Sequence, residues 1–294
     1  MSASPEARPS ITAEIVALIR AREQRYPPDR RVLDDPLAGP LLDASGSRVS
    51  GLAGAALARS FDLPFVGLAP FLLARHRTMD DLVLDSTRAG AAQVAILGAG
   101  YDSRAYRLAP PKGPARWFEV DLPALSRRKR AAVADVLGRV PTHVRYVELD
   151  FERERLIDRL LEEGLDPRER TLFIWEGVSY YLPEEAVHAT LESVRVLAAV
   201  GSTVVLDVWV RPDLTRPLDP FRRVIPRLFL KAVGEPIRYW LRSSEAAAHL
   251  LETHGFEPTL DLDRVKLQGL FDRASGGRRG TVAPHLHVIA GQAR

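Results

Sequence analysis

Cysteine is absent from all 294 residues. Disulfides, thiolate metal sites and cysteine nucleophiles are therefore excluded. No run approaches the roughly 18 apolar residues of a membrane-spanning helix. The opening stretch MSASPEARPS lacks an apolar core, so no secretory signal is read there. Internal repeats and low-complexity tracts are also missing. Basic residues are scattered, apart from Arg127-Arg128-Lys129-Arg130, and form no polybasic tail. The net charge of +3 and the pI near 9.3 come almost wholly from arginine and point only weakly to nucleic acid. These absences leave a cytoplasmic protein with neither a nucleic-acid nor a membrane partner as the expectation.

What is present suits a well-packed globular chain. Hydrophobic residues make up 46% and charged residues 27%, enough for a full core and an ordinary surface. The length fits one large domain, or one domain with a cap.

Two regimes follow one another along the chain. Residues 11–25 place Ile11, Ile15, Leu18 and Ile19 at helical spacing, and 71–90 reads as a helix closed by Gly90. Residues 26–39 form a connection rich in proline and aspartate. Residues 43–66 are rich in glycine, alanine and serine and suggest short helices or a mobile cap. Residues 1–90 thus form an N-terminal helical and cap region. After residue 90, short apolar runs (93–98, 115–121, 144–150, 171–177 and 202–209) alternate with helical patterns (122–138, 152–163, 183–199 and 243–254). This rhythm predicts an α/β fold with a parallel sheet covered on both faces. Two further strands, 256–263 and 285–292, are expected to form a late hairpin around RASGGRRG. That hairpin would add an antiparallel strand. Residues 91–294 form this second domain, with a cap insertion at about 210–242.

The first strand runs into LGAGYDSRAYRL. A dinucleotide turn wants a third glycine three positions after the second, and Ser103 stands there instead. Ligands of open parallel sheets bind beyond the carboxyl ends of the strands. Here those ends carry Gly98 and Gly100, then Asp121, then Asp150-Phe151, then Glu176. Glycines let backbone approach a ligand closely. Asp121 can accept both hydroxyls of a ribose, and Asp150 the amino hydrogens of an adenine while Phe151 packs on its ring. Glu176 suits a cation. Such an anionic edge fits a sulfonium nucleoside better than a pyrophosphate.

These stretches, with DDPLAG (34–39), RHRTMDD (75–81), FEVDLP (118–123), LDF (149–151) and EGVSYYLPEE (176–185), resemble the leucine carboxyl methyltransferase family, including its bacterial O-methyltransferases. The resemblance implies a Rossmann-like class I methyltransferase fold: a seven-stranded, mostly parallel sheet with a reversed last strand. It implies S-adenosylmethionine as cofactor, with Arg75 on its carboxylate and Gly98, Gly100 and Leu122 lining it. Asp121 would hold the ribose, Asp150 and Phe151 the adenine, and Glu176 the amino end. Arg20 would add a further basic contact. A small natural product, polyketide or peptide, is the implied acceptor.

A carboxylate acceptor is ionised at neutral pH and needs no base, whereas a phenol needs help. The strand-end motifs offer no histidine, which favours a carboxylate. Tyr181 is the candidate for orienting the acceptor. Arg104 and Arg107 read as structural ion pairs, and 127–130 as a solvated helix face. Trp117 and Trp175 read as core, and His188 as solvated. His285 and His287 share a strand face but lack a third metal ligand. Two other functions stay open: a nicotinamide-dependent oxidoreductase, and a cofactor-binding module without turnover.

Overall fold

The computed structural model describes residues 10–47, 49, 56, 59–61, 66–109, 116–211 and 219–294. Seven strands form one sheet: β1 (Gln93–Leu97), β2 (Arg116–Asp121), β3 (Val144–Glu148), β4 (Thr171–Trp175), β5 (Thr203–Trp209), β6 (Phe256–Leu262) and β7 (Leu286–Ala293). Their order is β3-β2-β1-β4-β5-β7-β6. The first five pair in parallel, and β7 runs antiparallel to both β5 and β6. The strand order reverses between β1 and β4, and a crevice opens at such a switch point beyond the carboxyl ends.

The apolar runs form strands because they are buried on both faces. Along β1, Val94 and Ile96 join one core cluster while Ala95 and Leu97 join the other. Along β4, Leu172 and Ile174 face one way and Phe173 and Trp175 the other. Trp117 and Trp175 are fully buried, as expected.

Helices cover both faces. Ile15 and Ile19 of α1 (Ile11–Glu23), Phe71, Met79 and Val83 of α3 (Leu68–Arg88), and Leu267 and Phe271 of α10 (Arg264–Ala274) pack on one. Leu156 and Leu160 of α6 (Leu156–Glu162), Val187 and Leu191 of α7 (Glu184–Leu197), and Leu250 and Leu251 of α9 (Glu245–Thr253) pack on the other. Leu41 of α2 (Ala38–Ala44) packs on Ala132 and Val133 of α5 (Pro123–Leu137). The single turn α4 (Arg104–Arg107) follows the glycine turn, and α8 (Asp219–Ala232) lies in the insertion after β5. Local chemistry sets several ends. The Ser10 side chain caps α1 by accepting from Ala13 N at 3.1 Å, and Asp263 caps α10 by accepting from Lys266 N at 2.9 Å.

Two expectations need correction. The last two strands pair antiparallel, as expected, but RASGGRRG alone does not join them: α10 occupies about half of the connection. Its Leu267 and Phe271 are buried against the sheet, a helical signal that the glycine- and arginine-rich stretch behind it obscures. The basic run 127–130 is not a uniformly solvated face. Lys129 is buried and pairs with the equally buried Glu119 at 2.8 Å, and Arg128 pairs with Glu14 at 3.0 Å. Most of 43–66 beyond α2, and residues 212–218, lie outside the described residues.

Candidate active site

The chain reverses tightly after β1. Gly98 and Gly100 adopt φ of +74° and +44°, values open to glycine and costly for other residues. A Cβ at Gly98 would also overlap the Val178 side chain of the loop after β4. Two N–H groups of this turn, Gly98 N and Ala99 N, donate to Val120 O at 2.8 and 2.9 Å. The turn is thus fixed to the end of β2, where Asp121 accepts from Gly100 N at 2.6 Å and from Leu122 N at 2.7 Å. A carboxylate has about four acceptor positions, so Asp121 keeps capacity for further donors. Burial pushes the Asp121 carboxyl up, opposed by these two N–H donors.

Beside this turn lies a buried network of arginines and carboxylates. Arg75, on α3, donates to Glu176 Oε1 at 2.8 Å and to Asp207 Oδ2 at 2.7 Å. Glu176 also accepts from Arg104 at 2.7 Å and contacts His76 Nδ1 at 3.1 Å. Arg104 reaches Asp80 at 2.7 Å and pairs with Asp102. Arg107 reaches Asp80 at 2.7 Å, and Arg20 reaches Asp35 at 2.6 Å and Tyr101 O at 2.7 Å. Guanidinium groups of Arg20 and Arg107 lie 3.4 and 3.2 Å from His76 Nε2. Both are obligate donors, so Nε2 accepts, and Nδ1 carries the proton that faces Glu176. His76 is therefore neutral in this arrangement, in keeping with burial and Arg104 pushing its pKa down. Burial alone would raise the Glu176 carboxyl, but Arg104, His76 and Arg75 hold it well below the usual range.

This network joins the end of β4, the helix after the glycine turn and α3 into one electrostatic unit. Of the residues singled out in the sequence, Arg75 and Glu176 touch directly, and Gly100, Asp121 and Leu122 touch directly. Asp150 and Phe151 lie apart from both contacts. Asp150 is half-buried and turned into its own loop, accepting from Glu152 N at 3.0 Å and facing Arg153 at 3.5 Å. Phe151 stacks on Trp175 with ring centroids 6.3 Å apart, which carries the β3 end to the β4 end. Arg104 and Arg107 are structural ion pairs, as expected. Arg20 lies in the same network.

Tyr181 faces a different wall. Its ring packs edge-on against Tyr180 at 4.7 Å. Burial and Glu235 push its hydroxyl up, against a hydrogen bond with Thr12. Glu235, after α8, also accepts from Ile11 N at 3.1 Å and Ser10 Oγ at 3.4 Å, and bonds Thr12 Oγ1. Tyr180 touches Arg75 at 3.5 Å through its hydroxyl.

Several of these residues escape the sequence reading. Asp207 is the one acid within the apolar run of β5, and that isolation is the available signal. The sequence names His285 only as half of a histidine pair; because β7 is reversed, its amino end lies at the carboxyl edge of β5. There Val210 N donates to His285 O at 2.8 Å, and the His285 ring stacks on Trp209 at 4.0 Å. His188 is half-buried and stacks on His254 at 5.0 Å rather than standing in solvent. Among the described residues, no cluster of three or more histidine, aspartate or glutamate side chains could hold a metal ion. Among them, too, no helix is long and apolar enough to cross a membrane.

Residues 13–195 match the leucine carboxyl methyltransferase family. The chain belongs to that family. A Frankia alni relative named "Putative S-adenosyl-L-methionine-dependent methyltransferase" is 33% identical, with 86% of this chain and 88% of that protein aligned. A Mycolicibacterium smegmatis relative of the same description is 38% identical over 67% of this chain. This chain spans 65% of that relative's length. Among solved structures, a DUF574 family protein from Streptomyces avermitilis superposes with a TM-score of 0.59 over 98% of each chain, at 16% identity. A Thermobifida fusca protein described as a "putative methyltransferase" gives 0.58 over 87% of this chain and 94% of its own, at 18% identity. At such identities the structures establish the Rossmann-like fold alone.

Proposed function

We propose that this chain transfers a methyl group from S-adenosylmethionine to an oxygen of a small natural product, a polyketide or peptide, with a carboxylate as the favoured acceptor. The observation that carries the cofactor reading is the buried Arg75–Glu176 ion pair, 2.8 Å long, beside the glycine turn held by Asp121. A zwitterionic amino-acid end matches such a pair group for group: its carboxylate to Arg75, its ammonium to Glu176. The two carboxylates, Asp121 and Glu176, disfavour a pyrophosphate in the same place. The residues present therefore fit the cofactor that the family uses.

When bound, the cofactor supplies an electrophilic sulfonium methyl. The protein's part is to hold and orient. In this reading Asp121 takes the ribose hydroxyls on its spare lone pairs, and Gly98, Gly100 and Leu122 line the backbone side. Asp150 and Phe151 flank the adenine. Orientation of this kind can lower a barrier by up to roughly 7–11 kcal/mol.

Tyr181 would orient the acceptor. Its raised pKa keeps the hydroxyl protonated at neutral pH, so it donates a hydrogen bond and takes no proton. A carboxylate acceptor is already ionised near pH 7, so that arrangement suffices. Acceptor choice would rest with residues 43–66 and 210–242, the latter bordering Tyr181 through Glu235. In this reading residues 1–90 act as cap, and residues 91–294 as the catalytic domain.

The test is incubation with S-adenosylmethionine and a panel of carboxylic acids, phenols and alcohols, read by mass spectrometry for the gain of one methyl group. Methyl esters among the products support the carboxylate reading. Ethers formed only from phenols or alcohols overturn it, and no methylated product from any acceptor class counts against turnover.

A further inference from the structure

Arg75 is buried, 2% exposed, between two carboxylates that differ in kind. Glu176 sits in the loop after β4 at the crevice and is already shared among Arg75, His76 and Arg104. Asp207 sits inside β5, fully buried, paired with Val288 of β7 and one residue past the last β4 pair, Trp175–Leu206. Its Oδ2 holds Arg75 at 2.7 Å, and its Oδ1 accepts from Gly177 N at 2.6 Å. Its backbone carbonyl accepts from Ser179 Oγ at 2.8 Å. Asp207 is thus fixed by the sheet, and it fixes both Arg75 and the loop that carries Glu176.

We propose that Asp207 is a positioning residue that keeps Arg75 aimed at the crevice when Glu176 is given over to another cation. The inference rests on the cofactor reading above. If the amino-acid end of the cofactor meets Arg75 and Glu176, its ammonium competes with Arg75 for Glu176. Arg75 then keeps one anion of the protein's own, Asp207, and remains held within a buried site. Without Asp207, Arg75 would rely on Glu176 alone, and releasing Glu176 would leave it without a protein carboxylate. The arriving ligand carboxylate would then be its only anion, and with no fixed anchor to aim the guanidinium at that carboxylate the exchange would be less favourable and binding would suffer. The nucleoside half of the ligand lies beyond this effect, because Asp121 and the glycine turn make no hydrogen bond to Asp207.

Calorimetry on the full chain tests this with two probes. S-adenosylhomocysteine carries the amino-acid end, and 5′-methylthioadenosine lacks it. Asp207→Asn keeps the shape but removes the charge. The expected result is about a tenfold loss or more of S-adenosylhomocysteine affinity, the size of one hydrogen bond to a charged group. Affinity for 5′-methylthioadenosine stays within about twofold on the same scale. Equal loss for both probes, or loss for neither, overturns the proposal. If Asp207→Asn does not fold, Arg75→Gln/Asp207→Asn replaces it, since this double variant strands no buried guanidinium. Its S-adenosylhomocysteine affinity should equal that of Arg75→Gln alone, and a further loss overturns the proposal. Wild-type protein that binds neither probe overturns the cofactor reading itself, and the Asp207 proposal falls with it.

Discussion

At the scale of single residues, the site spends charge to hold shape. Asp121 is the clearest case, because one carboxylate satisfies two backbone N–H groups and keeps lone pairs for a ligand. Asp121→Ala should weaken S-adenosylhomocysteine binding at least tenfold by calorimetry, the size of a charged hydrogen bond. It should also lower stability by about 1–3 kcal/mol in urea unfolding, because Gly100 N loses its acceptor. Unchanged affinity would remove Asp121 from the site. Asp102 makes a second prediction. Burial would raise its carboxyl, but Arg104 and then Lys129 hold it down at about 2, from 3.8. A carboxylate depressed on folding stabilises fully above its unfolded pKa, and that stabilisation is lost as pH falls through the folded value. Asp102 therefore supports the fold above about pH 4, and its support fades from there to about pH 2. Unfolding free energies measured across that window should fall less steeply in Asp102→Asn than in the wild type. Identical slopes would mean that Asp102 is not held down.

At the scale of elements, a clasp joins α1, whose Ala13 lies against Gly100, to the segment after α8. Glu235 takes donors from Ser10, Ile11 and Thr12 at the N-terminus of α1, where exposed N–H groups and the helix dipole favour an anion. Arg238 N and Tyr239 N then donate to Tyr180 O at 2.8 and 3.3 Å, which draws the same segment against Tyr181. Glu235→Ala should release the first turn of α1. Amide hydrogen exchange over residues 11–15 should rise by about tenfold, since about 1.4 kcal/mol of local stability is one factor of ten. Exchange in β1 and β4 should not change. A uniform rise across the sheet would show global destabilisation instead. This clasp is hidden in the sequence because its halves lie more than 220 positions apart, and the helical spacing of α1 does not show what its first turn meets. The strands, by contrast, are legible. Runs such as QVAIL and TLFIW are buried on both faces and so read as continuous apolar segments. Helix α10 carries a helical spacing in Leu267, Leu270, Phe271 and Ala274, but the glycines and arginines that follow obscure it. The site is legible where chemistry sits at strand ends, as at Asp121 and Glu176. It is illegible at Asp207, which sits mid-strand.

At the scale of the whole molecule, the ends of β1, β2 and β4 meet at one switch point, with α3 bringing Arg75 to them. Ligand binding there should stabilise the entire fold, because the groups that hold a ligand also hold the sheet to its covering helices. A ligand that binds only the native state adds RT ln(1 + [L]/Kd), about 2.7 kcal/mol at a hundredfold excess over Kd. For 294 residues, at about 2.1 cal/mol/K of unfolding entropy per residue, one kcal/mol moves the melting temperature by about 1.6 °C. S-adenosylhomocysteine at that excess should therefore raise it by roughly 4 °C. NADH at the same concentration should leave it unchanged, since a pyrophosphate would meet Asp121 and Glu176 with like charge. Arg75→Gln should abolish the S-adenosylhomocysteine shift even where it lowers the starting temperature, because the shift is measured against each variant's own apo state. A shift with NADH and none with S-adenosylhomocysteine would transfer the crevice to the oxidoreductase reading, for Arg75 would then be facing a phosphate.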